Sequence, residues 1–215
     1  MHKYFYQFTS KLELGKLIRQ YQFKNKEDMI EPVKDNPWKT LSSEVKYENP
    51  WIRVTESAII NPAGNRGIYG VVHFKNKAIA IIPLDEDNNT WIVGQYRYTM
   101  NSYEWEVPEG GCPEGEEPLN GAKRELAEEV GLVAGSWEMI LETQLSNSVS
   151  DEIGYTFIAK NLEFVGSSPE ETEQLHVRKL PFEEVVEMVL RGEIKDGLSV
   201  ASILKVKLLL DKGMI

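Results

Sequence analysis

The sequence predicts an α+β domain in which a mixed β-sheet is layered with helices. Short apolar runs bounded by turn chemistry fill residues 51–98, one strongly marked helix follows, and further strands give way to two closing helices. The chain has 215 residues and is 41% hydrophobic, so it can bury one substantial core.

Taken in order, residues 1–45 differ in character from the rest and read as an N-terminal arm with a part in dimerisation. The main domain is expected over 46–215. Within the arm, 12–18 reads as a short amphipathic helix, and Pro32, Asn36 and Pro37 break its continuation. Residues 52–59 read as a strand, Asn61-Pro62-Ala63-Gly64-Asn65 as a turn and 69–74 as the returning strand of a hairpin. A buried strand is expected at 77–84, a polar turn at 85–89 and another strand at 90–98. Pro108, Gly110, Gly111, Pro113 and Gly115 predict a loop across 104–117. A helix then runs over 118–130, with Pro118 at its start and Gly131 as a left-handed cap. Strands at 137–145, 155–159 and 173–180 precede helices at 182–190 and 198–210.

Composition excludes several functions. There are 34 acidic and 24 basic residues, a net charge of −10, which argues against nucleic-acid or anionic-membrane binding. The single cysteine, Cys112, permits no intrachain disulfide, and a reducing compartment follows. The longest apolar run, 78–82, falls far short of a membrane span, and 1–11 carries no secretion signal. A cytoplasmic protein is expected.

The 118–130 helix breaks two local rules at once. Ala122, Leu126 and Val130 form a buried stripe at four-residue spacing. Beside it, Glu125, Glu128 and Glu129 crowd one flank, at about 0.2–0.5 kcal/mol per like-charge pair. Glu128 and Glu129 also sit in the last turn, where the helix dipole disfavours negative charge. A hard divalent cation, Mg²⁺ or Mn²⁺, would restore the balance. The plain alternative is a solvated acidic face.

The spacing resolves that choice. Gly110, Glu116, Arg124-Glu125-Leu126, Glu128-Glu129 and Gly131-Leu132 match the Nudix hydrolase signature at every fixed position. The resemblance implies a Nudix-type α/β/α sandwich and Mg²⁺-dependent hydrolysis of a diphosphate joined to another group. It implies Glu125 and Glu129 as principal metal ligands, Glu128 as a supporting one, and the backbone carbonyl of Glu109 as a further ligand. It also makes Arg124 the residue that orients the glutamates, with Gly110, Glu116 and Gly131 structural.

Beyond this box, residues 51–210 resemble the ADP-ribose pyrophosphatase branch. Gln95-Tyr96-Arg97-Tyr98 ends a strand, Trp105 to Gly110 leads into the box, and 145–152 resembles the loop that supplies a catalytic glutamate. That branch commonly has alanine at the Glu109 position, and Asn147-Ser148 stand where it has Pro-Gly. The resemblance makes Glu152 the general base, with Asp151 as the alternative. Arg97 is expected to grip phosphate, or else to form a strand-end salt bridge. Glu106 is assigned to substrate, and Tyr69 to stacking on the base or to the core. Trp51 reads as core or dimer contact. His2, His73 and His176 show no metal-ligand spacing and receive no role.

The expected reaction is cleavage of ADP-ribose to AMP and ribose 5-phosphate by a homodimer acting on a small nucleoside diphosphate. GDP-mannose or another nucleoside diphosphate sugar is the alternative substrate, and a non-catalytic nucleotide sensor the alternative class.

Overall fold

The computed structural model describes residues 35–166 and 174–215. The helix expected at 12–18 lies outside the described residues, as does the start of the strand expected at 173–180. The first three strands, β1 (Lys39–Glu48), β2 (Ile52–Ile60) and β3 (Arg66–Phe74), form an antiparallel sheet in that order. The β2–β3 hairpin is the predicted one. Its turn closes by an Asn61 N–H···O Asn65 bond of 2.9 Å, with Gly64 at φ 86°. Strand β1 was not expected. All ten of its residues are exposed, so it forms by pairing along β2 from Lys39↔Ile60 to Glu48↔Arg53 rather than by burying an apolar face.

The chain then enters the layered body. Strand β4 (Asn76–Pro83) is followed by β5 (Asn89–Arg97), β6 (Ser102–Glu106) and β7 (Glu109–Pro113). The last two occupy what the sequence marked as loop. Next come helix α1 (Pro118–Glu125), a π-helical turn (Leu126–Val130), β8 (Leu132–Gln144), β9 (Ile153–Phe164), β10 (His176–Pro181), α2 (Phe182–Leu190) and α3 (Gly197–Asp211). One mixed sheet has the order β7-β4-β9-β8, with β4 and β9 parallel; a second has the order β10-β5-β6. The expected strand at 137–145 in fact begins at Leu132, immediately after the Gly131 cap at φ 74°.

Strand β4 explains the layering. Its residues alternate between two cores, as a fully buried strand requires. Ile79 and Ile81 pack with Ala122, Leu126 and Val130 of α1 and its π turn, together with Phe157 and Ala159 of β9. Ala80 and Ile82 face the other way, onto Phe182, Val185, Leu198, Ile203 and Val206 of α2 and α3. The stripe read from the sequence is therefore the inner face of one helical layer. The product is an α/β/α sandwich. Among the described residues, no helix is long and apolar enough to cross a membrane.

Phe182 is 1% exposed at the start of α2 and anchors the second core. Phe182→Ala should lower unfolding stability by about 3–5 kcal/mol, read by chemical denaturation. A loss below about 1 kcal/mol would mean that this core collapses around the gap.

Candidate active site

Strand β7 runs directly above α1, and two glycines make the approach possible. A Cβ on Gly110 would collide with the Glu125 carboxylate, and one on Gly111 would lie 2.8 Å from Asn76 Nδ2. The residues that suggested a loop are instead close-approach positions within a strand. Arg124 ties the two elements together. Its Nη2 donates to the Gly111 carbonyl at 2.7 Å and to Glu116 Oε2 at 3.2 Å. Its Nη1 donates to Glu125 Oε1 at 2.6 Å and to Glu128 Oε2 at 3.1 Å. These are charge-assisted bonds, and they aim two glutamates at once. Glu129, 2% exposed, accepts the Glu109 N–H on Oε2 at 2.9 Å. The π turn places Glu128 and Glu129 one residue out of α-helical phase with Glu125, a distortion that often marks functional sites.

These elements form one wall of a cleft of about 830 Å³. Glu109, Gly110, Arg124, Glu125 and Glu128 line that wall, while Arg97, Glu152 and Asp196 face it from other elements. Burial pushes the Glu109 carboxyl well above the ordinary range, with Asp196 and Glu106 adding to the rise and Arg97 opposing it. Burial likewise raises Glu152, followed by the charges of Asp196 and Asp151.

The acidic pair preceding β9 divides its tasks. Asp151 turns to β3, where Oδ2 meets His73 Nδ1 at 2.6 Å and Oδ1 accepts the Phe74 N–H at 3.0 Å. Glu152 turns into the cleft. Of the two candidates for a base, only Glu152 lines the site.

The other candidate residues have varied surroundings. Arg97 lines the cleft, but its Nε and Nη2 grip Glu106 at 2.6–3.0 Å and Nη2 also donates to Glu109 at 2.7 Å. The guanidinium is thus a clamp between two carboxylates, and Glu106, expected on substrate, is buried behind it and does not line the cleft. Tyr69 does not line the cleft: its hydroxyl donates to the Ser148 carbonyl at 2.7 Å, and its ring packs edge-on against Trp38. Trp51, read as core or dimer contact, is 67% exposed and stands with Phe74 at the cleft mouth. Asp196 was missed. It caps α3 by accepting the Ser199 N–H at 2.7 Å, and its Asp-x-x-Ser pattern signals a helix start but says nothing of the cleft.

The donors on the α1 wall are oxygen alone, which suits a hard divalent cation. Among the described residues, no three acidic, histidine or cysteine side chains converge closely enough to hold an ion as they stand. Arg124 carries the positive charge between Glu125 and Glu128 instead. The fit rests on the chemistry of the donors and on the Gly110 cradle that holds Glu125 beside the cleft.

Comparison with known proteins agrees with this layout. Residues 74–200 match the model of the NUDIX domain, and residues 38–72 match the nucleoside diphosphate sugar hydrolase N-terminal domain. An ADP-ribose pyrophosphatase of Mycobacterium tuberculosis is 32% identical over 80% of this chain and 84% of its own length. An ADP-ribose pyrophosphatase of Bacillus subtilis is 27% identical over 74% of this chain and 86% of its own. Among solved structures, an ADP compounds hydrolase superposes with a TM-score of 0.74 at 20% identity, covering 83% of this chain and 97% of that one.

The negative charge of Asp196 opposes ionisation of Glu152, so neutralising it should lower the Glu152 pKa. In Asp196→Asn, which keeps the helix cap, NMR titration of the Glu152 carboxyl carbon should show a midpoint at lower pH. An unchanged midpoint would leave burial and the charge of Asp151 as the causes.

Proposed function

This chain belongs to the Nudix hydrolase family, and we propose that it cleaves the pyrophosphate of a nucleoside diphosphate sugar, with ADP-ribose as substrate and AMP and ribose 5-phosphate as products. It is a Nudix pyrophosphohydrolase of the ADP-ribose pyrophosphatase-like branch. The observation that carries the reading is the cleft itself: Glu125 and Glu128, aimed by Arg124, on one wall, and Glu152 on another.

Nudix hydrolases use divalent metal ions, and Mg²⁺ is the ion we assign, with Mn²⁺ able to replace it. Glu125, Glu129 and Glu128 would hold it, joined by the main-chain carbonyl of Glu109. When bound, Mg²⁺ neutralises phosphate oxygens and eases deprotonation of a water molecule. A cleft lined by so many carboxylates in a −10 protein needs that positive charge to admit a dianion.

The chain's own groups supply the rest. Glu152 takes the proton of the attacking water, and its raised pKa brings it nearer to neutrality, where a base is most effective. Arg124 holds Glu125 and Glu128 in register. Arg97, locked by Glu106, presents a fixed positive charge to a phosphate at the cleft wall. Trp51 and Phe74 offer the nucleoside an aromatic surface in the position earlier expected of Tyr69. Leu41, Val45 and Tyr47 expose apolar surface on β1, which supports a homodimer joined through the N-terminal sheet.

Phosphate release, coupled to a phosphatase, across ADP-ribose, GDP-mannose and other nucleoside diphosphate sugars tests the substrate. ADP-ribose should give the highest kcat/KM with Mg²⁺ and no turnover with EDTA. Binding without products would make the protein a sensor. Glu129→Gln should lower kcat by orders of magnitude and still fold, because the amide oxygen can accept the Glu109 N–H. The metal-free protein should gain thermal stability on adding millimolar Mg²⁺. An unfolded Glu129→Gln variant would make that residue structural instead.

A further inference from the structure

His73, which no sequence pattern marked, sits at the junction between the N-terminal sheet and the segment that carries Glu152. We propose that His73 is a positioning residue for hydrolysis, holding Asp151 on β3 so that the adjacent Glu152 is directed into the cleft. The inference rests on the reading of Glu152 as general base.

The geometry supports a specific role. A carboxylate only accepts, so His73 Nδ1 donates to Asp151 Oδ2 at 2.6 Å. The opposite ring nitrogen, Nε2, meets Thr55 Oγ1 on β2 at 2.9 Å, which fixes the plane of the ring. Asp151 is thus clamped between a side chain braced on β2 and the Phe74 N–H of β3. The hydrogen bonds from His73 and the Phe74 amide hold its carboxyl below the usual range although partial burial pushes it up, so an ionised acceptor is maintained. Glu152 is the next residue, and the two side chains part, one toward the sheet and the other into the cleft.

The loop has other fastenings, and they matter to the test. Val72 N–H donates to the Val149 carbonyl at 2.9 Å, Asp151 N–H donates to the Val72 carbonyl at 3.3 Å, and Tyr69 donates to Ser148. These keep the loop against β3 whether or not the imidazole is present. Removing the ring therefore leaves the loop attached and Oδ1 on the Phe74 N–H, but releases Oδ2, so the Asp151 carboxylate can swing about its one remaining bond and loosen the aim of its neighbour. Small misplacements of a reacting group cost as much as a hundredfold in rate.

The experiment uses the full chain and compares His73→Ala, His73→Asn, Glu152→Gln and the double variant His73→Ala/Glu152→Gln under single-turnover conditions with ADP-ribose and Mg²⁺. His73→Ala should lower the rate constant by about 10- to 100-fold, with the half-saturating concentration and melting temperature nearly unchanged. His73→Asn retains an N–H donor near the position of Nδ1 and should recover most of that loss. In the Glu152→Gln background, His73→Ala should have no further effect, because its influence passes through the missing base. Full activity in His73→Ala, or an equal loss from His73→Ala with and without Glu152, overturns the inference while leaving the base reading intact. Near-normal activity in Glu152→Gln sinks the base reading itself. A loss that follows the melting temperature and is not rescued by asparagine makes His73 structural only.

Discussion

The Arg124 guanidinium connects a strand, a loop and a turn of helix that like-charge repulsion would otherwise drive apart. One edge holds the Gly111 carbonyl and Glu116, while the other nitrogen holds Glu125 and Glu128. That fan fixes the height of β7 over α1, and the absence of a Cβ on Gly110 allows the Glu125 carboxylate to rise beside the cleft. Three carboxylates packed around one turn are costly in water and costlier when half buried. The Glu109 carboxyl is raised first by its burial and then by the nearby charges of Asp196 and Glu106.

The remaining walls are contributed by parts of the chain that are far apart in sequence. Asp196 arrives from the start of α3, and Glu152 from the segment before β9. Trp51 and Phe74 come from the N-terminal sheet, a thin layer with little core of its own. The sheet reaches the catalytic body mainly through β3, whose residues Tyr69, Val72, His73 and Phe74 all contact the loop before β9. A surface that would otherwise be a peripheral flap is thereby made part of the site.

Some features were legible because they are local. The stripe Ala122-Leu126-Val130 follows from helical period, the Gly131 cap from its freedom at positive φ, and the turn after Asn61 from its own side-chain bonds. Other features were misread where a local rule had a distant competitor. Gly110 and Gly111 look like loop breakers until Glu125 and Asn76 are seen beneath them. Arg97 reads as a phosphate grip or a strand-end salt bridge; it lines the cleft and is also held by Glu106, on the paired strand β6, where the register sets Arg97 opposite Ser102. Strand β1 has no buried face to leave a periodic signature, so only its partner β2 reveals it.

By itself the sequence determined the helix, its cap, the carboxylate spacing and the family to which they belong, because each is set by residues within a few turns of one another. Only the tertiary structure decided which acid faces the cleft and which is tied to a histidine, and which aromatics stand at its mouth. Those choices depend on contacts across as many as 78 positions, as between His73 and Asp151. No local propensity encodes such a distance; strand pairing and core packing do.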